Sequence, residues 1–451
     1  MMQLMLAASA AQTPAPPGFS DLDRTVRAEM LETRTPGVAL IVISKDRVVF
    51  QSGYGVISID NPEPVTMDTL FQIGSITKMF TAATLLTLTE SGRVTLDQKV
   101  GKRVEGLSPK LALLTARQLL SQTAGLKDEP DEYGSHDESA LSDYVRSWKD
   151  DYCLFEPGRA FSYSNAGFAL AGLFVQEAAG RPFADQVTDA IFKPLGMIRS
   201  TFKPTMAMTH PLAVGHRARP GDPPVTVRPA ADDSRLWPAG GMYSNAGELA
   251  RFAIAFVNGG RLEGKQVISP SVIGMMMKPV AEIPGQQQSY GLGVFVYDHR
   301  GVRVVEHEGS MPGFFGLLRM VPDKRFAVII LSNLESGILR KTAEKAMESV
   351  LSLQPAVDRS AQTALSISKS EMESLAGAYW QPNRWTIELF IKEGKLYLRQ
   401  FGFEMPVTKI GAHRFSVTRP GAPAGQEFEM INDIDGRPDL LQMFVWTFKR
   451  K

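Results

Sequence analysis

"LFQIGSITKMFTAATLLTLTESGRV", Leu70–Val94, decides how the rest of the chain is read. From Ile76 onward it is an amphipathic helix bound for a core, stopped by Gly92. Three residues after Ser75, however, Lys78 stands among Ile76, Met79 and Phe80. A spacing of three puts Ser75 and Lys78 on one helix face, about 5–6 Å apart at Cβ. Ser75 would sit at the helix N-terminus, where free N–H groups and the dipole favour negative charge. A lysine enclosed there loses hydration, and its pKa falls toward the range where a neutral amine accepts a proton. A serine beside such a base is an activated nucleophile. The plainer alternative is that Ser75 only caps the helix and Lys78 reaches out to solvent.

Two further segments carry chemistry-bearing residues. In "EPGRAFSYSNAGFALAGLFVQEAAG", Tyr163 precedes a helix running through Ala166–Ala179. A tyrosine near a lysine cation gives up its proton more easily and serves as general base and acid. Asn165 would orient the lysine or bind a substrate carbonyl; alternatively it or Ser164 is the helix cap. In "VVEHEGSMPGFFG", His307-Glu308-Gly309 follows an alternating strand and could wall a cleft. Gly309 lets another backbone approach closely, and the N–H of Ser310 could join that of Ser75 as an oxyanion hole. Taken alone, His307 reads as an ordinary satisfied or exposed histidine.

In this order, Ser75-Ile-Thr-Lys78, Tyr163-Ser-Asn165 and His307-Glu-Gly309 resemble the three motifs of the serine β-lactamase and penicillin-binding fold. The likeness is nearest to class C β-lactamases, D-Ala-D-Ala carboxypeptidases and family VIII carboxylesterases. "LLSQTAGL", "FEPGRAFSYSN", "KPLGM", "WPAGGMYSNAGELARF", "YGLGV" and "HEGSMPGF" support it, over about residues 20–355. The resemblance implies Ser75 as acylated nucleophile, Lys78 as its activating partner and Tyr163 as the proton shuttle. Asn165 would contact substrate or Lys78, and His307 and Gly309 would border the substrate. His307 stands where the β-lactamases carry a lysine, a fixed charge that attracts a substrate carboxylate; a histidine is mostly neutral near pH 7. Glu308 adds a negative charge, although strand alternation turns it away from His307. Esters and uncharged amides therefore fit better than penicillins. Gln122 in "LLSQTAGL" stands where relatives commonly have histidine. G-x-S-x-G is absent.

Strands are expected in "GVALIVIS", "RVVFQSGYGV", "GVFVYDHRGVRVVEHEGS", "FFGLLRMVPD" and "KRFAVIILSNL", at the two ends of a largely helical stretch. Helices are expected at residues 75–91, 111–121, 141–149, 164–179, 183–192, 245–258 and 338–353, with another opened by Ser20. The fold class is α/β in the α+β sense: one antiparallel sheet built from both ends, flanked by helices. Residues 20–355 form this unit, 356–370 a linker, and 371–451 a small all-β barrel-like domain of about six strands. The region "GKLYLRQFGFEMPVTKIGAHRFSV" resembles the lipocalin-like domain appended to such hydrolases. Trp380, Trp385 and Trp446 are expected to fill it.

Residues 1–19, "MMQLMLAASAAQTPAPPGF", resemble a trimmed secretory signal without a basic start; a disordered leader is the alternative. No segment approaches the roughly 18 apolar residues of a membrane span. A soluble periplasmic or secreted protein is expected, with a cytoplasmic one the alternative. With 49 basic and 48 acidic residues, nothing calls for a nucleic-acid partner. One cysteine, Cys153, and six histidines without HxH or HExxH spacing give no reason to expect a metal or other cofactor. The expected partner is a small ester, amide or short peptide, with oligomeric state open. The sequence thus favours a serine hydrolase, with hydrolysis or acyl transfer completing the turnover, over a non-catalytic ligand sensor or scaffold. A binding module has no need of Ser75, Lys78 and Tyr163 together.

Overall fold

The computed structural model describes residues 18–451 except 129–131, 220, 336, 356–363, 383 and 422–424. Most of the expected leader (1–19) and of the expected linker (356–370) therefore lies outside the described residues. Strand β1 (Gly37–Ser44) is an unbroken apolar run because both its faces are covered. Val38, Leu40 and Val42 pack under helices α1 (Ser20–Thr33) and α5 (Arg340–Glu348). Ala39, Ile41 and Ile43 point into the larger core with α2 (Thr77–Glu90), α3 (Asn165–Ala179) and α4 (Ala246–Val257). Alternation along one strand thus divides the helices into two layers.

The remaining strands of this sheet are β2 (Arg47–Gly55), β3 (Ala281–Ile283), β4 (Gln288–Tyr290), β5 (Phe295–His299), β6 (Val302–Met311), β7 (Phe314–Val321) and β8 (Phe326–Ser332). Their order is β2-β1-β8-β7-β6-β5-β4-β3, all pairs antiparallel, so both ends of the unit meet at β1 and β8 as the sequence pattern predicts. One asymmetry positions the site. β6 pairs with β7 from Val305 to Met311, but with β5 only as far as Glu306. Among the described residues no strand lies beside one edge of β6 from His307 onward, and the turn Gly74–Ile76 packs there.

Several expected helices are shorter or divided. The 111–121 helix is split by Thr115, whose hydroxyl accepts the Gln118 N–H and starts a new helix with a capping box. The helix expected at 338–353 covers 340–348, and a further short helix, Lys369–Leu375, precedes the barrel strands. Ser20 is the first helical residue rather than the cap.

The C-terminal strands close into a barrel of eight: β9 (Gly377–Trp380), β10 (Thr386–Lys392), β11 (Lys395–Gln400), β12 (Phe403–Lys409), β13 (Arg414–Val417), β14 (Gln426–Asn432), β15 (Pro438–Met443) and β16 (Trp446–Arg450). Two strands go beyond the sequence reading. β9 is too short to register as a pattern. "LLQMFVWTF" is two strands, because Phe444 takes φ 56° and reverses the chain without a glycine. The barrel docks by Leu440 against Leu154, Phe155 and Ala160, and by a forked Arg159–Asp439 ion pair at 2.8 Å. Among the described residues no helix is long and apolar enough to cross a membrane.

Candidate active site

Gly74 has φ 53°, and this left-handed residue turns the chain from Gln72–Ile73 into the short 3-10 turn that opens α2. The Thr77 hydroxyl ties the turn down by donating to the Gly74 carbonyl at 2.6 Å. Ser75 is thereby set at the head of a helix buried on nearly every side. Lys78 is wholly buried one turn on. Its Nζ has three polar neighbours: Ser75 Oγ at 2.9 Å, Asn165 Oδ1 at 2.7 Å and the Ala239 carbonyl at 2.7 Å. The last two can only accept, so they take two N–H groups. The third direction points at Ser75, donating when Lys78 is an ammonium and presenting a lone pair when it is an amine. Burial lowers the Lys78 pKa to about 7 against the opposing charge of Asp128, so both forms are accessible near neutrality.

Tyr163 reaches the same point from the loop before α3. The Lys78 Nζ lies 4.8 Å from its ring centre, and its hydroxyl faces that of Ser75. Burial pushes this phenol well above the ordinary tyrosine range, so at rest it is protonated. The sequence expectation that the lysine draws off the Tyr163 proton is therefore reversed: enclosure disfavours the tyrosinate more than its neighbours favour it. The Ser164 hydroxyl caps α3 by accepting the Gly167 N–H, which leaves the Asn165 side chain free to face Lys78.

The loop is held from both sides. The Gln122 carbonyl accepts the Ser162 N–H at 2.8 Å and its side chain accepts the Ser164 N–H at 2.9 Å. Gln122 does this from a left-handed backbone with φ 61°, and its amide also faces the Tyr290 hydroxyl. From the other side comes the β15–β16 hairpin of the barrel. Val445 accepts the Tyr163 N–H at 2.7 Å, and Thr447 donates its N–H to the Ser162 hydroxyl and its own hydroxyl to the Phe161 carbonyl.

On the open edge of β6, a Cβ on Gly309 would lie 1.9 Å from the Ile73 carbonyl and 3.0 Å from the Ser75 nitrogen. A Cβ on Gly74 would lie 2.5 Å from the Ser310 nitrogen. Two glycines thus let β6 and the Ser75 turn meet backbone to backbone. Met311 and Phe314 close a two-residue turn, so by ladder alternation Ser310 directs its N–H away from β7, toward the Ser75 turn.

His307 is buried under the rings of Tyr163, Phe295 and Tyr290. Its Nδ1–H donates to the Glu308 carbonyl, which makes Nε2 the acceptor for the Tyr290 hydroxyl at 3.1 Å. Burial and the neighbouring Lys78 lower its pKa to about 3, so the ring is neutral. Both nitrogens are occupied within the protein. Glu308 faces the other side of the sheet, 3.6 Å from Arg340.

Residues invisible to sequence reasoning complete the surroundings: the Ala239 carbonyl, Asp128, and Arg384 and Trp446 of the barrel. A backbone carbonyl leaves no side-chain signal, and Asp128 sits in an unremarkable polar loop. Trp446 packs against the barrel core beside Trp385, as expected, and in addition donates Nε1–H to Asp128 at 2.9 Å. Tyr243 and Ser244 form a two-residue strand beside Phe71–Gln72.

The beta-lactamase family model matches residues 22–350. Among curated relatives, Protein flp of Staphylococcus aureus (strain N315) is 24% identical over 331 residues, covering 72% of this chain and 64% of that protein. Penicillin-binding protein 4 of Amycolatopsis lactamdurans is 28% identical over 313 residues, covering 67% of this chain and 82% of that one. The chain thus spans 64% of the length of its flp relatives. The crystal structure of SurE superposes with a TM-score of 0.79 at 23% identity, covering 96% of this chain and 99% of SurE. The octameric penicillin-binding protein homologue from Pyrococcus abyssi superposes with a TM-score of 0.67 at 21% identity, covering 95% and 99%. These two structures share the fold across both the sheet-and-helix unit and the barrel. With a family match over most of the chain and its three motifs gathered around one serine, the protein belongs to the beta-lactamase family.

Proposed function

We propose that the protein is a serine hydrolase that cleaves uncharged esters or amides through an acyl-enzyme on Ser75. One observation carries the reading: a wholly buried lysine, poised near neutrality, holds its third hydrogen-bonding direction 2.9 Å from a serine oxygen. Ser75 Oγ attacks the substrate carbonyl carbon, and its proton passes to the neutral Lys78 amine. The carbonyl oxygen becomes an oxyanion against the N–H groups of Ser75 and Ser310. As the bond to the leaving group breaks, that group takes a proton from the Tyr163 hydroxyl, which is restored from the Lys78 ammonium. Water, or another acyl acceptor, then takes the acyl group by the reverse route. Asn165 fixes Lys78 throughout, while His307 and Gly309 shape the wall beside the oxyanion.

A neutral His307 with both nitrogens engaged offers no charge to a substrate carboxylate, which favours an esterase or D-amino-acid peptidase over an efficient β-lactamase. SurE has also been crystallised with D-Leu, which supports a D-amino-acid group on one side of the scissile bond.

The test is the intact mass of the protein after exposure to a fluorophosphonate. A single adduct is expected on the wild type and none on Ser75→Ala. Absence of label from the folded wild type would overturn the reading in favour of a cleft that only binds.

A further inference from the structure

Asp128 has no part in the chemistry just described, yet its carboxylate is completely enclosed and tied to two domains. Oδ1 accepts the backbone N–H of Asn165 at 2.9 Å. Oδ2 accepts Trp446 Nε1–H at 2.9 Å and forms an ion pair with Arg384, whose guanidinium lies 4.5 Å over the Trp446 ring. Burying a carboxylate is costly unless donors surround it, and two of the three here come from the barrel. The Asn165 Oδ1 in turn accepts an N–H of Lys78 Nζ at 2.7 Å. The connection is continuous from barrel to nucleophile.

We propose that Asp128 is a positioning residue through which Arg384 and Trp446 of the barrel set the geometry and protonation of the Ser75–Lys78 centre. The proposal rests on the serine-hydrolase reading. Asp128 fixes the first residue of α3, and that residue's side chain fixes the lysine. The groups facing Lys78 are the Ser75 and Tyr163 hydroxyls, the Asn165 side chain, the Ala239 carbonyl, the neutral His307 ring and the Asp128 charge. Burial drives the amine toward neutrality, and the Asp128 carboxylate opposes it. Arg384 moderates that carboxylate, so the barrel contributes both a tether and a counter-charge.

The experiment measures the second-order rate of fluorophosphonate labelling against pH on full-length protein. Its variants are Asp128→Asn, Trp446→Phe, Arg384→Gln and Arg384→Lys. In the wild type the rate rises with a midpoint near pH 7 as Lys78 loses its proton. Asp128→Asn is expected to lower the plateau about tenfold, through the loosened Asn165, and to move the midpoint down by about half a pH unit or more. The downward direction is diagnostic. A site that had merely loosened would rehydrate Lys78 and move the midpoint up, and that result overturns the proposal. Trp446→Phe removes one N–H while keeping a ring, and should cost several-fold in plateau rate. Arg384→Gln should lower the plateau as Asp128→Asn does, and Arg384→Lys should restore part of it. Wild-type rates and midpoint in Asp128→Asn, Trp446→Phe and Arg384→Gln would also overturn it. A wild type that takes no label sinks the hydrolase reading instead. The titration of the Lys78 Cε resonance by NMR then decides the network without acylation: a lower midpoint in Asp128→Asn supports it, and an unchanged one overturns it.

Discussion

The histidine at position 307 changes more than the charge offered to substrate. His307 is neutral because it is enclosed and lies near Lys78, and its pKa is held at about 3. An unfolded histidine titrates near pH 6.5, so below that pH the unfolded chain takes up a proton that the folded protein refuses. The stability this residue contributes is therefore complete above pH 6.5 and drains away as the pH falls toward 3. Between pH 6.5 and 5 the loss is about 1.6 kcal/mol, the slope steepening to roughly 1.4 kcal/mol per pH unit below the unfolded pKa. Urea unfolding at both values should show that drop in the wild type, and His307→Gln should reduce it by the same amount. Gln122 offers a second lesson at this scale. Its left-handed backbone and side-chain carbonyl together hold Ser162 and Ser164, the flanks of Tyr163. The sequence marks the position only by its departure from the usual histidine.

Among the elements, β6 and the turn that opens α2 have to be considered as a pair. Their backbones meet across Gly309 and Gly74, so Gly309→Ala should drive the strand and Ser75 apart. The expected cost is about 2 kcal/mol of stability, the size of an overpacked core site, together with a large fall in labelling rate. Thermal unfolding and fluorophosphonate labelling of the same preparation check both. This contact explains why so much of the site can be read from sequence. Ser75, Lys78, Asn165 and Gly309 lie at a helix start or on a strand edge and Tyr163 in the loop just before α3, where turn residues, periodicity and the three-motif resemblance mark the positions. Asp128, Ala239 and Arg384 lie in loops or act through backbone, and such places are set by tertiary packing rather than local pattern. The sheet is legible for the same reason, since β1 and β6–β8 are long apolar or alternating runs. The β15–β16 hairpin is not, because its reversal falls on Phe444 rather than on glycine or asparagine.

In the whole molecule, the barrel is joined to the sheet-and-helix unit by small apolar contacts at Leu440 and Val445 and by polar ties that include the forked Arg159–Asp439 pair. Each side chain of that pair keeps about a quarter of its surface exposed, so solvent screens the attraction. A double-mutant cycle on Arg159→Ala and Asp439→Ala, followed by urea unfolding, should give a coupling of about 1 kcal/mol. The docking then depends chiefly on the hairpin that grips residues 161–163. That grip spans the chain: Thr447 and the Ser162 it holds are 285 residues apart. On the ribosome, the Tyr163 loop is made long before its final partner exists. A growing chain can complete the sheet at β8 and bury Lys78 while the loop still lacks its last support, which arrives only with the β15–β16 hairpin. The last support of the Tyr163 loop is thus deferred until β15 and β16 are made, and a chain that lacks this hairpin lacks that support.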